Sequence, residues 1–205
     1  GFFDDLVTPF QGVSKDTILR SDTSMEKLAA LRTVFGNRET ATMTAGNSTA
    51  LSDGAATVLL AEEQWAKENG WPTLARVVDS QVEASDYVTG KEGLLMAPVR
   101  AIPPLLERNS LTFDDFDFIE FHEAFASTVL AQIQVLEANG AGKIDRSRLN
   151  VNGSSLAAGH PFAATGGRIV ASLAKMLAAK GSGSRGLISI CAAGGQGVVA
   201  ILEAC

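Results

Sequence analysis

Polar and apolar residues follow two different periods along this chain. Strict alternation, which is typical of a half-buried strand, is clearest in DFDFIEF at residues 115–121. Short apolar runs bounded by turn-forming residues predict further strands, at residues 55–60, 74–84, 186–192 and 197–204. The pattern therefore predicts five strands.

Longer apolar stretches with helical spacing lie among these strands. They predict helices at residues 62–69, 97–109, 124–140 and 161–180, and a shorter one within 24–35 that Asp22 to Ser24 could cap. The prolines of the 97–109 stretch suit only the first turn of a helix or a break. Gly70 and Gly140 fit the preference for glycine just after a helix.

The order of these elements predicts the fold class. Strands that alternate with helices indicate an α/β sandwich with a mainly parallel sheet, and the last two strands, joined by a tight turn, must be antiparallel. The helix at 161–180 has apolar or small residues except Arg168 and Lys175, which share one face, so we expect it to lie between layers. Its Gly166–Gly167 pair requires close packing to offset a low helix propensity.

Composition and charge exclude several classes of partner. The chain has 205 residues and a net charge of −6, which argues against general binding to nucleic acid or anionic membranes. Its most apolar stretch, residues 161–179, is interrupted by two basic residues and does not suit a membrane span. Two cysteines without a disulfide framework, and acidic residues where a signal peptide would be basic, indicate a reducing, cytoplasmic location.

Two histidines occupy positions where strands end or helices begin. His160 directly precedes Pro161, a good first helical residue, so we expect it at a helix start, where the dipole favours a neutral ring that can accept a proton. His122, in FHEAFA at 121–126, follows a strand, at the edge where ligands bind in open α/β sheets. Each also has a structural interpretation, as a packed or hydrogen-bonded residue. A zinc-protease pattern would need histidine at position 126, so metal binding is not expected.

Two more stretches could carry chemistry. CAAGGQG, at 191–197, places Cys191 at the end of a strand before glycines whose N–H groups can approach a ligand, or it forms a hairpin with an inert cysteine. NVNGSS, at 150–155, is a loop whose asparagines could fix the backbone of the His160 turn. Cysteine with histidine can mean nucleophilic acyl transfer or proton transfer beside an oxyanion hole. Spacing does not choose between the two.

Four stretches in the same order closely resemble the thiolase family. They are AGNSTALSDGAA at 45–56, FHEAFA, the run from NVNGSS through GHPFAATGGR, and CAAGGQG. His122 in place of the commoner asparagine is most similar to the β-subunits of fatty-acid oxidation complexes. The resemblance implies a layered α/β fold with a five-stranded, mixed and mainly parallel sheet and a buried central helix. It also implies transfer of acyl groups between CoA thioesters, by thiolytic cleavage of 3-ketoacyl-CoA or the reverse Claisen condensation.

The resemblance also implies roles for named residues. His160 would activate the acyl-accepting cysteine and help to form an oxyanion hole, and Cys191 would move a proton to or from the α-carbon. His122 would stand where most thiolases hold an oxyanion-hole water, and the N–H of Ala193 would point into the other oxyanion hole. The residues expected along the CoA site are Thr49, Ala124, Phe125 and, more weakly, Arg20. Coenzyme A is then a substrate, and no further cofactor is expected.

The main departure from the family is a missing cysteine. The nucleophilic cysteine of thiolases lies in an N-terminal half, whereas the second cysteine of this chain is its last residue, Cys205. The chain therefore resembles the tail of the loop region (1–44), the closing segment of the N-terminal domain (45–68) and the C-terminal domain (69–205). We expect the remaining half as its partner, a homo-oligomer when intact, and no activity alone. The alternatives are a self-contained acyl hydrolase that uses Cys191, and a non-catalytic CoA-binding module.

Overall fold

The computed structural model describes residues 1–37 and 39–205. Two parts of the chain differ in structure, and we call residues 1–62 the N-terminal segment and residues 75–204 the sheet body. The elements in chain order are α1 (Met25–Ala29), α2 (Glu63–Glu68), β1 (Ala75–Ala84), α3 (Pro98–Asn109), β2 (Phe118–Phe121), α4 (Ala126–Ala138), α5 (Ser155–Ala158), α6 (Phe162–Lys180), β3 (Arg185–Ala192) and β4 (Gln196–Ala204). Short 3-10 turns at Phe113–Asp115 and Arg146–Arg148 complete them.

The sheet has four strands in the order β1-β4-β3-β2. β2 pairs with β3 in parallel, whereas β4 is antiparallel to both of its neighbours, β3 and β1. The prediction that the last two strands are antiparallel is therefore confirmed.

The expected mixed sheet is confirmed, but it has four strands and not five, and its pairings are mainly antiparallel. β1, β2 and β3 do run in one direction, but β4 turns back from β3 and lies between β3 and β1, so two of the three pairings are antiparallel. The fifth predicted strand, residues 55–60, is neither helix nor strand and is exposed. An apolar run predicts a strand only where a neighbouring strand exists to pair with it.

The core lies on both faces of this sheet. One face packs against α3 and α4, through side chains such as Ile102, Ile133 and Leu187. The other packs against α6, whose Ile169, Leu173 and Leu177 are buried on the sheet. The molecule is thus a layered α/β structure, and α6 contributes a whole buried face to it, in agreement with the predicted class.

Prolines occur in two of the predicted helices, and the structure differs from the prediction at both. α3 continues through Pro103 and Pro104, because burial of Ala101, Ile102 and Leu105 on the sheet outweighs the hydrogen bonds that proline removes. α6 begins one residue later than expected, since Pro161 is its N-cap, with ψ of 82°, and not its first helical residue.

The N-terminal segment contributes little to the core. Among residues 1–37 and 39–62 none is fully buried, and apolar side chains such as Phe10 and Leu59 are about three-quarters exposed, at 73% and 74%. Its Gly54 and Ala56 pack against Pro161 and Gly167 at the start of α6, the close approach that the glycine pair predicted. In the part of the chain that the structure describes, no helix is long and apolar enough to cross a membrane.

Candidate active site

The first histidine is held at the end of β2. The N–H of His122 donates to the carbonyl of Ser189 at 2.8 Å, which extends the parallel pairing of β2 with β3 by one residue. Asn150 fixes the loop beside it, because its side chain accepts from the N–H of Phe121 and donates to the carbonyl of the same residue. The asparagines of this loop are expected to fix the backbone of the His160 turn, but Asn150, whose own φ is 47°, binds the backbone at the end of β2 instead.

The second histidine reaches the same place from the other end of that loop. The N–H of His160 donates to the carbonyl of Ala50 at 2.9 Å, and His160 and Leu51 form a short parallel bridge. Glu123 ties the loop to β2, since its carboxylate accepts from the side chain of Asn150 and from the N–H of Leu156. His160 is therefore placed by both the N-terminal segment and the sheet body.

The two imidazoles are in contact. Their ring centroids lie 4.2 Å apart at an interplanar angle of 43°. Nδ1 of His122 is 2.7 Å from Oγ of Ser155, and Nδ1 of His160 is 2.7 Å from Oγ1 of Thr165. His122 is 1% exposed, and its Nε2 has no hydrogen-bond partner among the described residues. The site thus holds two oriented rings and one buried nitrogen without a partner.

Both rings are neutral near pH 7. Burial lowers the pKa of His122 to about 3, and repulsion by His160, when that ring is itself protonated, and by Arg168 adds to this effect. Burial and Arg168 also lower the pKa of His160. The expected neutral ring of His160 is thus supported, and the causes are burial and a nearby guanidinium.

Two ionisable residues, Glu120 and Arg168, lie behind the histidines on the side of α6. Arg168 donates from Nη2 to Oγ of Ser155 at 2.9 Å, and its own pKa is lowered by burial. Glu120 is 1% exposed, and burial raises its pKa to about 8 against the opposing effect of Arg168. Sequence reasoning missed Ser155, Thr165 and Glu120 as parts of the site. Thr165 lies in the same stretch as its partner His160, whereas Ser155 meets His122 from a different part of the chain.

Cys191 lies at the end of β3, two residues after the Ser189 that binds the His122 backbone. Strand alternation places it on the same face as Leu187, towards α3 and α4, whereas Ile188 and Ile190 face α6. It is a free, buried thiol, and burial raises its pKa to about 11. Cys191 therefore keeps its proton at neutral pH, and its approach to His160 in a shared cleft stays a prediction.

The turn after Cys191 is partly exposed. Ala193 is exposed and begins the three-residue turn, in which Gly194 and Gly195 have φ of 92° and 74°. Since these two glycines carry the left-handed angles and Ala193 is not among the described residues with positive φ, alanine is compatible with its position. A side chain at Gly195 would meet the ring of Tyr87, so this turn packs closely on the loop that follows β1.

Three of the four residues predicted for the CoA site, Thr49, Ala124 and Phe125, lie close to one another. The N–H of Thr49 donates to the carbonyl of Ala124 at 3.0 Å, and its hydroxyl donates to the carbonyl of Ser155 at 2.7 Å. Phe125 pairs with Ser48 in an isolated bridge. Thr49, Ala124 and Phe125 are thus next to the histidine pair. Arg20 is exposed and lies outside the helices and strands. No group of three or more His, Cys, Asp or Glu side chains suited to a metal occurs in the described ranges.

Two family models match consecutive parts of the chain. The thiolase N-terminal domain model matches residues 3–64, and the thiolase C-terminal domain model matches residues 72–204. Among curated proteins, the 3-ketoacyl-CoA thiolase of Shigella flexneri serotype 5b is 40% identical over 205 residues, covering 95% of this chain and 46% of the relative. That of Enterobacter sp. (strain 638) is 39% identical and covers 97% and 47%.

Solved structures agree with these matches. The acetyl-CoA acetyltransferase of Bacillus anthracis has a TM-score of 0.81 at 36% identity, over all of this chain and 51% of that one. Human mitochondrial 3-ketoacyl-CoA thiolase in complex with CoA has a TM-score of 0.83 at 32% identity, over all of this chain and 50% of that one. The chain thus spans about half the length of the curated relatives it matches. With one family model over most of its residues and whole-chain structural likeness, this chain belongs to the thiolase family.

Proposed function

We propose that this chain forms the C-terminal part of a thiolase-type acyltransferase, which cleaves 3-ketoacyl-CoA with CoA or catalyses the reverse Claisen condensation. The observation that carries the proposal is the contact of two neutral imidazoles, 4.2 Å apart, beside the ends of β2 and β3. Such chemistry needs a base for a thiol and donors aimed at a thioester oxygen where enolate charge develops.

His160 is the proposed base for the nucleophilic cysteine. That cysteine would come from a segment outside residues 1–205, since the chain contains only Cys191 and Cys205. Its sulfur would attack C3 of the 3-ketoacyl-CoA, and the bond between C2 and C3 would break. The acyl group would stay on that sulfur until the sulfur of CoA attacks it. The CoA thiol proton would then go to the Cys191 thiolate left by the first step, and His160 would return its proton to the freed nucleophile. A neutral imidazole suits the first step, because an imidazolium cannot accept the thiol proton.

Cys191 is the proposed acid in cleavage. When the C2–C3 bond breaks, its thiol would give the proton to C2 of the departing acetyl-CoA enolate, and in condensation its thiolate would take that proton back. The raised pKa supports this role, since the thiol stays protonated until a strong base forms beside it. It disfavours the alternative hydrolase, in which Cys191 itself would have to be a ready nucleophile.

The donors and the CoA-binding residues complete the proposed site. Nε2 of His122 and the N–H of Ala193 would stabilise negative charge on the thioester oxygens. Thr49, Ala124 and Phe125 would line the channel for the pantetheine arm, and Arg20 would lie towards the nucleotide end of CoA. Coenzyme A would be a substrate, and no further cofactor is proposed.

We further propose the domain assignment made from the sequence, with residues 1–44 in the loop region, 45–68 closing the N-terminal domain and 69–205 forming the C-terminal domain. Matches to two family models at 3–64 and 72–204 support this division. The exposed apolar residues Leu59 and Leu60 support a partner sheet for the N-terminal segment. A homo-oligomer and a reducing cytoplasmic location remain part of the proposal.

The test is CoA-dependent cleavage of acetoacetyl-CoA by the native protein that contains these residues. His160→Ala should lower the rate by about 10²- to 10⁴-fold, the usual contribution of general acid–base catalysis. Val151→Ala, an exposed change in the same loop, is the control and should leave the rate unchanged. A His160→Ala rate equal to that of the control would refute the assignment.

Two further measurements test whether the nucleophilic cysteine lies outside residues 1–205 and whether the chain is only a CoA-binding module. Purified residues 1–205 should not cleave acetoacetyl-CoA, and cleavage by this chain alone would show that it needs no other cysteine. Calorimetry with CoA on the native protein separates a binding module from an enzyme. Binding without turnover, unchanged by His160→Ala with Cys191→Ala, would favour the module.

A further inference from the structure

We infer that Ser155 is a positioning residue that donates its hydroxyl proton to Nδ1 of His122 and thereby fixes this histidine as the tautomer with its proton on Nε2. Ser155 is the first residue of α5 and is 0% exposed. Its Oγ lies 2.7 Å from Nδ1 of His122 and 2.9 Å from Nη2 of Arg168. These two contacts determine the direction of the proton.

The hydrogen bond from Arg168 determines where the hydroxyl of Ser155 can donate its proton. Arg168 can only donate, so one lone pair of the Ser155 oxygen accepts from Nη2. The hydroxyl proton then needs an acceptor, and within the described residues Nδ1 of His122 is the one partner of this oxygen besides Arg168. If Nδ1 carried the proton instead, two donors would point at one oxygen and the buried hydroxyl proton would lack an acceptor, which is costly.

The position of Ser155 is fixed from three sides. Its carbonyl accepts from the hydroxyl of Thr49, in the N-terminal segment, and from the N–H of Gly159. The next residue, Leu156, donates its N–H to the carboxylate of Glu123. The hydroxyl therefore has little freedom to move away from the ring of His122.

This tautomer explains the nitrogen that has no partner. Nε2 of His122 is buried and unpaired within the described residues, and the inference makes it an N–H donor. A buried N–H without an acceptor is unfavourable, which points to an oxygen supplied by a ligand. That last step rests on the proposed function, in which the oxygen belongs to a thioester or its enolate. The tautomer itself does not depend on any activity.

The experiment is two-bond ¹H–¹⁵N correlation NMR of ¹⁵N-labelled residues 1–205 at pH 7, which distinguishes the two tautomers of a neutral imidazole. The chain contains two histidines, so His160→Ala assigns the signals. Wild type should show His122 with its proton on Nε2. Ser155→Ala should shift the ratio roughly tenfold towards Nδ1–H, the loss of one hydrogen bond, and Ser155→Thr should keep the wild-type tautomer.

The matched control is Ser189→Ala, since Ser189 binds the backbone of His122 but its buried hydroxyl has no partner among the described residues. It should leave the tautomer unchanged. A wild-type signal with the proton on Nδ1 overturns the inference, even if Ser155→Ala fails to fold. Equal shifts in Ser155→Ala and Ser189→Ala also overturn it. Loss of thiolase activity in the native protein bears on the proposed function and leaves this spectrum unaffected.

Discussion

The sheet body and the N-terminal segment are held together by different forces. The sheet body buries two apolar layers, whereas no described residue of the N-terminal segment is fully buried. The segment contacts the body through a few short links, and those at Thr49 and Ala50 reach the residues around the histidine pair. The difference teaches that the scaffold of the site is held by burial, while the links from the N-terminal segment to the histidine pair are a few hydrogen bonds.

The largest effect should come from a matched pair of phenylalanines, one in each region. Phe121→Ala would leave a cavity in the sheet body and should cost about 3–5 kcal/mol of unfolding free energy. Phe10→Ala, at a residue that is 73% exposed, should change stability by less than about 0.5 kcal/mol. Urea denaturation followed by circular dichroism measures both. Equal losses of unfolding free energy would mean that Phe10 in the N-terminal segment is as important for stability as Phe121 in the sheet body.

A pH effect should follow from the buried Glu120. Burial raises its folded pKa from 4.5 to about 8, so the folded state holds this proton more tightly, and stability should fall as pH rises from about 4.5 to 8. Between pH 7 and 8 the loss should approach about 1 kcal/mol per pH unit. The lowered pKa values of His122 and His160 oppose this trend, but their effect on stability lies mainly below pH 7.

The test of this effect is urea denaturation at several pH values. Glu120→Gln should flatten the dependence between pH 7 and 8, and the exposed Glu39→Gln should leave it as in wild type. A wild-type slope that persists in Glu120→Gln would show that another group is responsible.

Alanine substitutions at two glycines with positive φ should distinguish backbone strain from steric contact between the two regions. Gly159 has φ of 81°, and an added Cβ would meet Oγ of Ser52 and lie 2.6 Å from Cδ1 of Ile18, both in the N-terminal segment. Gly70 has φ of 67° with nothing within 4 Å. Alanine should cost about 1 kcal/mol at Gly70 from strain, and a further 1–3 kcal/mol at Gly159 from overpacking. Equal stabilities in thermal unfolding would mean that the two regions do not touch there.

The smallest effect should come from one hydrogen bond that joins the regions. Thr49→Val removes the donor to the carbonyl of Ser155 at nearly constant volume and should cost about 1 kcal/mol. Thr57→Val, at an exposed residue of the same segment, is the control and should be nearly neutral. Equal unfolding free energies for the two variants in urea denaturation would show that the Thr49 hydrogen bond does not stabilise the contact between the two regions.

Local pattern predicted most of the sheet body and both histidines. The strands at 74–84, 186–192 and 197–204, and the helix before Gly140, are found close to their predicted bounds. What failed depends on distant residues. The place of β4 between β1 and β3 is a tertiary choice, and the apolar run at 55–60 has no strand beside it.

The site shows the same limit. FHEAFA and GHP flagged His122 and His160, but their contact spans 38 positions and follows from the fold of the loop between them. The sequence did not indicate a role for Ser155, because serine is common in polar loops. Glu120 and Arg168 were missed likewise, since each residue belongs to an ordinary strand or helix pattern.

The most direct test of the proposed activity uses the two cysteines of the chain, one buried and one exposed. CoA-dependent cleavage of acetoacetyl-CoA is measured for the native protein containing these residues, with Cys191→Ala and with Cys205→Ala as the matched control. We predict a loss of about 10²- to 10⁴-fold for Cys191→Ala, as expected when a general acid is removed, and a rate within twofold of wild type for Cys205→Ala. Equal rates in the two variants would contradict the role of Cys191 and the site built around it.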